Sequence, residues 1–301
     1  MGSTLEKGSL FPEVLVNEMV NLVRGKSSLA RLSESAPLPF NGAKVFTFNF
    51  DHEVNLVGES GAKANGGATI NAVSMQPVKV EYGMRVSDEF RYAAEEVQLQ
   101  YLQAFAEGFA RKVARGIDIM AMHGVNPRTG LTASALTNKN FDDLVSNLVS
   151  YDATTPDANV ESAIALIESA EHEATGMAMA PAFKNALASM KTGTTSNQPL
   201  FPELGWGTTP GSLRGLPVDT NPTVSINSGD DRAIIGNFAD YFKWGYSRQI
   251  PIEIIEYGNP DNSDEGDLKG HNQVYIRGEA YIGWGILVPD AFAIVTAAES
   301  L

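Results

Sequence analysis

From Asp88 to Gly124 the chain reads DEFRYAAEEVQLQYLQAFAEGFARKVARGIDIMAMHG, with Phe90, Ala94, Val97, Tyr101, Phe105, Phe109, Val113, Ile117 and Met120 at steps of three or four. Such spacing is the apolar stripe of an amphipathic helix. Asp88, Glu89, Glu95 and Glu96 gather near its start and Arg111, Lys112 and Arg115 toward its end, the order that complements the helix dipole. Ser87 is the expected N-cap and Gly124 the expected stop. Some nine turns, roughly 50 Å at 1.5 Å per residue, make a spine more than an ordinary packing element. Gly108 and Gly116 interrupt the stripe, and its aromatic residues lack heptad order, which argues against a coiled coil.

The segment before the spine has the other period. Phe46, Phe48 and Phe50 alternate with Val45, Thr47 and Asn49, and Val78, Val80, Tyr82, Met84 and Val86 alternate again farther on. With a Gly/Ala-rich tip around 58–69, these arms are expected to form one long two-stranded hairpin ending at Val86. An isolated hairpin is marginal in water, and ordering each of its residues costs about 1–2 kcal/mol of backbone entropy. It must therefore pack on its own domain or on another subunit. No later stretch offers an obvious matching meander, so a neighbouring subunit is favoured.

The tip itself, GESGAKANGG from Gly58 to Gly67, invites a phosphate-loop reading. A phosphate loop needs G-x-x-x-x-G-K-[ST], with backbone N–H groups around the phosphates and a following helix. Counted from Gly58, the second glycine position is Lys63. Counted from Gly61, Gly66 fits, but Gly67 and Ala68 occupy the Lys and Ser/Thr positions. A strand pattern follows where a helix is required. The nucleotide reading fails on spacing and on context.

Charge narrows the function classes. A net charge of −14 over 301 residues argues against gripping nucleic acid through clustered Lys and Arg. Without cysteine, disulfides, thiolate metal sites and cysteine nucleophiles are excluded. The N-terminus carries scattered acidic residues and no compact apolar run, so it is not a secretory signal. MGSTLE has Glu6 where a myristoylation site needs Ser or Thr. The most apolar stretch, YIGWGILVPDAFAIV, is broken by Pro289 and Asp290 and too short to cross a bilayer.

Elsewhere, Phe11, Leu15, Met19, Leu22 and Val23 mark a short helix over 11–26, and SAPLPF at 35–40 is a linker. Thr155 and Pro156 open a helix whose apolar face is Val160, Ile164 and Ile167. MAMA reads as a strand, PAFKNALASMK as a Pro-initiated helix, LRGLPV as a turn, and AIIGNF and QIPIEIIEY as strands. The last third is expected to end in a strand pair bent at Gly283–Gly285 and closed by Pro289. Motifs for chemistry are few. His52, His123, His172 and His271 are dispersed without ligand spacing, and His172 is expected to be solvated on a helix face. There is no G-x-S-x-G elbow, and GWGTTPG has its third glycine one place late for a dinucleotide fingerprint. DNSDEGDLKGHN (261–272) has Asp261 and Gly266 at calcium-loop positions, but Asn272 cannot supply the bidentate carboxylate. A solvated acidic loop is the expectation, with no cofactor and no metal.

Taken together, the N-terminal arm, the hairpin with GESGAKA at its tip, the spine, LRGLPV, IIGNFADYFKWGYSRQIPIEII and the closing NQVYIRGEAYIGWGILVPDAF resemble the major capsid proteins of tailed bacteriophages. The resemblance runs from about residue 11 to 297. It implies an α+β, Hong Kong 97-type fold: an N-arm over 1–40, an extended E-loop over 41–86, a P-domain over 87–135 and 266–301 with the spine helix, and an A-domain over 136–265. It also implies a structural, non-enzymatic role in which pentamers and hexamers close into an icosahedral shell around double-stranded DNA. Assembly would take place in the bacterial host cytoplasm, and the chain would end in the virion. Its partners would be copies of itself, with scaffolding, portal and decoration proteins as further candidates. DNA would be enclosed without being read, and no membrane is involved. Some relatives carry a cleaved N-terminal scaffolding domain; here it is expected to be absent, removed or separately encoded.

The resemblance further assigns inter-subunit contacts to Gly58, Glu59, Lys63, Phe46, Phe48 and Arg277. It also raises an isopeptide crosslink from Lys63 to Asn272 with Glu279 as proton acceptor. Seven residues along a strand put Asn272 and Glu279 on opposite faces, so different subunits would have to supply them. A nanocompartment shell, which shares the fold, is the nearest alternative, and a monomeric enzyme is the alternative from another class.

Overall fold

The computed structural model describes residues 26–193, 196–205, 211–226, 231–248 and 252–297. The apolar stripe expected between Phe11 and Val23 lies outside them. Among the described residues the strands form three sheets, of two, four and six strands, beside one long helix.

The helix runs Glu95–His123, about 44 Å at 1.5 Å per residue, and starts later than its sequence pattern. Ser87 does accept a hydrogen bond as a cap, but from Glu89 in a separate 3₁₀ turn, Asp88–Tyr92. Gly124 ends the helix in the left-handed conformation at φ 63°, as a helix-stopping glycine should. Its buried face begins at Leu102 and continues through Phe105, Phe109, Val113, Ile117 and Met120. Val97 and Tyr101, which share the stripe, stay exposed. Periodicity gives the face; what covers that face is a tertiary matter.

The expected single hairpin is two structures. β1 (Ala43–Phe50) and β2 (Ala68–Met75) pair antiparallel into a ribbon. The chain then breaks at Gln76–Pro77, and β3 (Val78–Ser87) pairs with β11 (Gln273–Ile286). Proline has no N–H for a ladder, and its position marks the change of partner. On its other edge β11 binds β9 (Phe242–Arg248) and β10 (Ile252–Ile255). Alternate residues Val274, Ile276, Ala280 and Ile282 of β11 are buried. Gly278 lets the helix come close, since a Cβ there would meet the Phe109 ring at 3.0 Å.

The third sheet has the order β4-β12-β8-β5-β7-β6, from β4 (Leu148–Ser150), β5 (Gly176–Met179), β6 (Ser212–Leu213), β7 (Leu216–Thr220), β8 (Asp231–Gly236) and β12 (Phe292–Thr296). Helices Pro156–Ser169 and Pro181–Ser189 bury Ile167, Phe183 and Leu187 in its apolar cluster. The LRGLPV turn joins β6 to β7 with Arg214 and Gly215 both at positive φ, the geometry of a tight two-residue hairpin. The closing strands do not pair with each other: β11 lies in one sheet and β12 in another, between β4 and β8. Gly283 and Gly285 lie within β11. There, side chains would collide with Leu38 and with Met75, so these glycines seat the incoming arm and the foot of the ribbon.

Candidate assembly surfaces and the hub that anchors them

The ribbon is built inside out. Directly opposed residues in an antiparallel pair share a face, so Phe46, Phe48 and Phe50 lie beside Ala72, Ile70 and Ala68. The three rings are 59%, 60% and 74% exposed, and Ile70 is 58% exposed. Beyond them, Val54 and Leu56 near the tip are almost fully exposed. Burying one such ring stabilises by about 1–2 kcal/mol, and none of the described residues covers that face. Gly58, Glu59 and Lys63 sit on the exposed tip. Gly61 N–H donates to the Gly58 carbonyl at 2.9 Å, forming a turn there.

A second apolar surface lies between β3 and the long helix, a groove lined by Tyr82, Met84, Tyr101, Phe105 and Phe109, with Lys112 at its edge. Tyr82 and Tyr101 are substantially exposed there.

The other predicted contact residues fall on one charged face of β11. Arg277 reaches Glu253 at 3.0 Å and Glu279 at 3.3 Å, and Lys79 reaches Glu279 at 2.8 Å. Glu279 is thus held by two cations of its own chain, and its presence in turn raises the Lys79 ammonium. Asn272 stands just before the strand, left-handed at φ 53°, with its carbonyl accepting from the Asp88 N–H. One subunit does not bring Lys63, Asn272 and Glu279 together.

The acidic loop is less free than expected. Arg85 donates to both carboxylate oxygens of Asp261 (2.9 and 2.6 Å), to Asn259, to Gln273 and to the Gly266 carbonyl. Arg85 holds the Asp261 carboxyl well below the usual carboxylate range. The loop is folded around one guanidinium, which occupies the oxygens a calcium ion would need. His172 lies beyond the helix end and packs edge-on against Tyr241 at 5.3 Å, where a solvated helix position was expected.

What anchors these surfaces is a buried polar hub that sequence reading missed. Asp118, on the long helix, is completely buried. It accepts from the Ser27 hydroxyl, the N–H groups of Ser28 (2.9 Å) and Leu29 (3.3 Å), Asn221 Nδ2 (3.1 Å) and Thr223 Oγ1 (3.0 Å). Burial pushes its pKa up to about 6 against the pull of those donors. The Ser28 and Leu29 donors open the short helix Ser28–Leu32, whose N-cap is Ser27. Next door, Asp219 takes the Ser28 hydroxyl and, at 2.7 Å, Arg31. One turn along the long helix, His123 links Asp142 and the Thr223 carbonyl. Thus the arm, the helix and the large sheet meet on two aspartates, Asp118 and Asp219. After the hub, the arm runs along β9: Ala36 N–H donates to the Trp244 carbonyl at 2.8 Å. Gly245 leaves no room for a side chain there, because a Cβ would strike the Ala36 carbonyl. In sequence, the only trace of the hub is an aspartate amid the apolar run GIDIMAM.

Comparison with known proteins follows this anatomy. Residues 7–297 match the family model described as "Phage capsid family". A chain from Mycobacterium phage Ogopogo is 33% identical, with 91% of this chain and 92% of that one covered and a TM-score of 0.77. One from Gordonia phage Cozz is 23% identical over 91% and 87%, at a TM-score of 0.74. A structure titled "Capsid of native GTA particle computed with C5 symmetry" shares the fold at 13% identity, 90% coverage of both chains and a TM-score of 0.62. No curated protein matches in sequence. Among the described residues no helix is long and apolar enough to cross a membrane.

Proposed function

This chain belongs to the phage capsid family and is a structural shell protein of the Hong Kong 97-type fold; from that premise we propose how its copies hold one another. Copies assemble into pentamers and hexamers that close an icosahedral shell around double-stranded DNA. Each ribbon lies on an adjacent subunit, with its phenylalanine face toward apolar surface such as the groove of Tyr82, Tyr101, Phe105 and Phe109. The observation that carries this reading is the ribbon's exposed apolar face, which the described residues leave uncovered. The chain's division into N-arm, E-loop, P-domain and A-domain at the expected boundaries belongs to the same proposal. Scaffolding, portal and decoration proteins are candidate partners, and assembly occurs in the host cytoplasm.

The acidic chain encloses DNA without gripping it. At −14 it repels the phosphates, so small cations must neutralise them. Lys63, at the exposed tip, is an inter-subunit contact, as are Gly58, Glu59 and Arg277. Its covalent version is an isopeptide bond: Lys63 Nζ attacks the side-chain carbonyl carbon of a neighbour's Asn272, the bond to the amide nitrogen breaks, and ammonia leaves. Glu279, already paired to Lys79 and Arg277, would have to be freed or supplied by a third subunit to take the proton. Denaturing electrophoresis of particles decides that version: a ladder supports it, and a clean band near the monomer mass of 32.3 kDa removes it. Negative-stain and cryo-electron microscopy of purified protein tests the main reading. Closed shells with five- and sixfold capsomers are expected; a stable monomer under all conditions would overturn it.

A further inference from the structure

His123, Asp142 and Asp231 are distant in sequence and close in space. His123 ends the long helix, Asp142 lies in the short helix Phe141–Leu144, and Asp231 begins β8. One ligand atom from each lies within 4.8 Å of the other two. Nδ1 of His123 stands 2.9 Å from Asp142 Oδ2 and 3.6 Å from Asp231 Oδ2. The other ring nitrogen, Nε2, lies 3.0 Å from the Thr223 carbonyl. A carbonyl only accepts, so Nε2 carries the hydrogen. That fixes the ring with Nδ1 turned toward two carboxylates. Three electron-rich atoms from three parts of the chain therefore converge on one point, where a metal ion or shared protons must offset their mutual repulsion.

We propose that these three residues form a binding site for a divalent metal ion of the zinc class, tying the end of the long helix to the large sheet. The spacing fits. Tetrahedral ligands bound at about 2.0–2.1 Å stand about 3.3–3.4 Å apart, a value between the two distances measured from Nδ1. The donor set fits as well: one imidazole and two carboxylates suit zinc, cobalt or manganese, whereas calcium and magnesium favour all-oxygen sites with more ligands. An imidazole whose far N–H is held by a backbone carbonyl is the outer arrangement that orients a metal-binding histidine. Asp231 is similarly held, by the Thr296 side chain. The His123 side chain is only 8% exposed, while that of Asp142 is 40% exposed. The site is thus closed on the protein side and open at Asp142, where an ion can enter and water can complete its coordination. Without metal, the cluster must be held by protons, on Nδ1 of His123 or on the Asp231 carboxyl, whose affinity for a proton is raised by burial and by Asp142.

The test uses the full chain after EDTA treatment, titrated with Zn²⁺ by calorimetry and melted with and without it. Co²⁺ serves as a visible-absorption probe. Wild-type protein is expected to bind about one ion per subunit saturably, to melt higher with Zn²⁺, and to give Co²⁺ bands typical of a four-coordinate nitrogen/oxygen site. Asp142→Asn, on the exposed side, should weaken binding at least tenfold without loss of the fold, and His123→Asn should abolish it. Absence of saturable binding by wild type would overturn the site and leave a proton as the central cation. Equal binding by wild type and Asp142→Asn would overturn it too, by placing the metal elsewhere, and this comparison stands even if His123→Asn fails to fold.

Discussion

The hub around Asp118 and the ribbon of β1 and β2 invert each other. At the hub, charge is buried and every described donor around the carboxylate has a partner. In the ribbon, phenylalanine is exposed and the apolar face has no partner among the described residues. Buried charge without partners is expensive, and exposed contiguous apolar surface marks an interaction site. The hub is therefore complete within one subunit, and on the proposed reading the ribbon is completed only by another copy. The proposed subunit folds on its polar anchor and associates through its apolar arm.

The sharpest way to break that comparison is to charge the ribbon. Phe46→Asp with Phe48→Asp should abolish particle formation while leaving the melting temperature of the dissociated subunit nearly unchanged, as read by electron microscopy and calorimetry. A large loss of subunit stability would mean that the ribbon packs on its own chain after all. The converse substitution attacks the hub. Asp118→Ala strands buried donors from the arm and the large sheet, each costing about 1–3 kcal/mol if left unmet. The expected loss is at least about 3 kcal/mol in urea unfolding, with the arm released before the rest.

Acidity offers a subtler test of the same residue. The folded pKa of Asp118 is raised to about 6, above the ordinary carboxylate value, so the folded state holds this proton more tightly than the unfolded one. Its contribution therefore favours folding below about pH 4 and is lost as pH rises through 6. Relative to Asp118→Asn, wild type should gain on the order of 2 kcal/mol between pH 7.5 and pH 4.5. A gain in the opposite direction would mean that the five donors outweigh burial. Similar in size, Gly245→Ala should cost about 1–3 kcal/mol, because the arm must shift away from β9. Limited proteolysis near Ala36 would report that shift.

How far the sequence could reach follows the same division. Regular patterns were legible: the long helix with its Gly124 stop, the LRGLPV turn, the MAMA strand and the alternating phenylalanines all appear where their periods place them. The ribbon's lack of a core was legible too, because a two-stranded hairpin is marginal alone, although the same reading left residues 78–86 without the partner they find in β11. What escaped was partner choice. Val78 to Val86 alternates like a hairpin arm, and only the break at Gln76–Pro77 hints that it pairs with β11 instead. Gly283 and Gly285 read as a bend, yet they are seats for Leu38 and Met75. The hub escaped entirely, since Asp118, Asp219 and Thr223 become neighbours of Ser27 and Ser28 only through the tertiary fold. No spacing rule spans contacts separated by 90 to 191 residues.

Hydrogen exchange measured residue by residue, on dissociated subunits and on assembled particles, tests the central claim most directly. Amides of residues 43–75 should exchange fast in the subunit and become protected in the particle, while Ser28 and Leu29 at the hub remain protected in both. A ribbon equally protected in the free subunit, or still unprotected in the particle, would contradict the claim that another copy completes it.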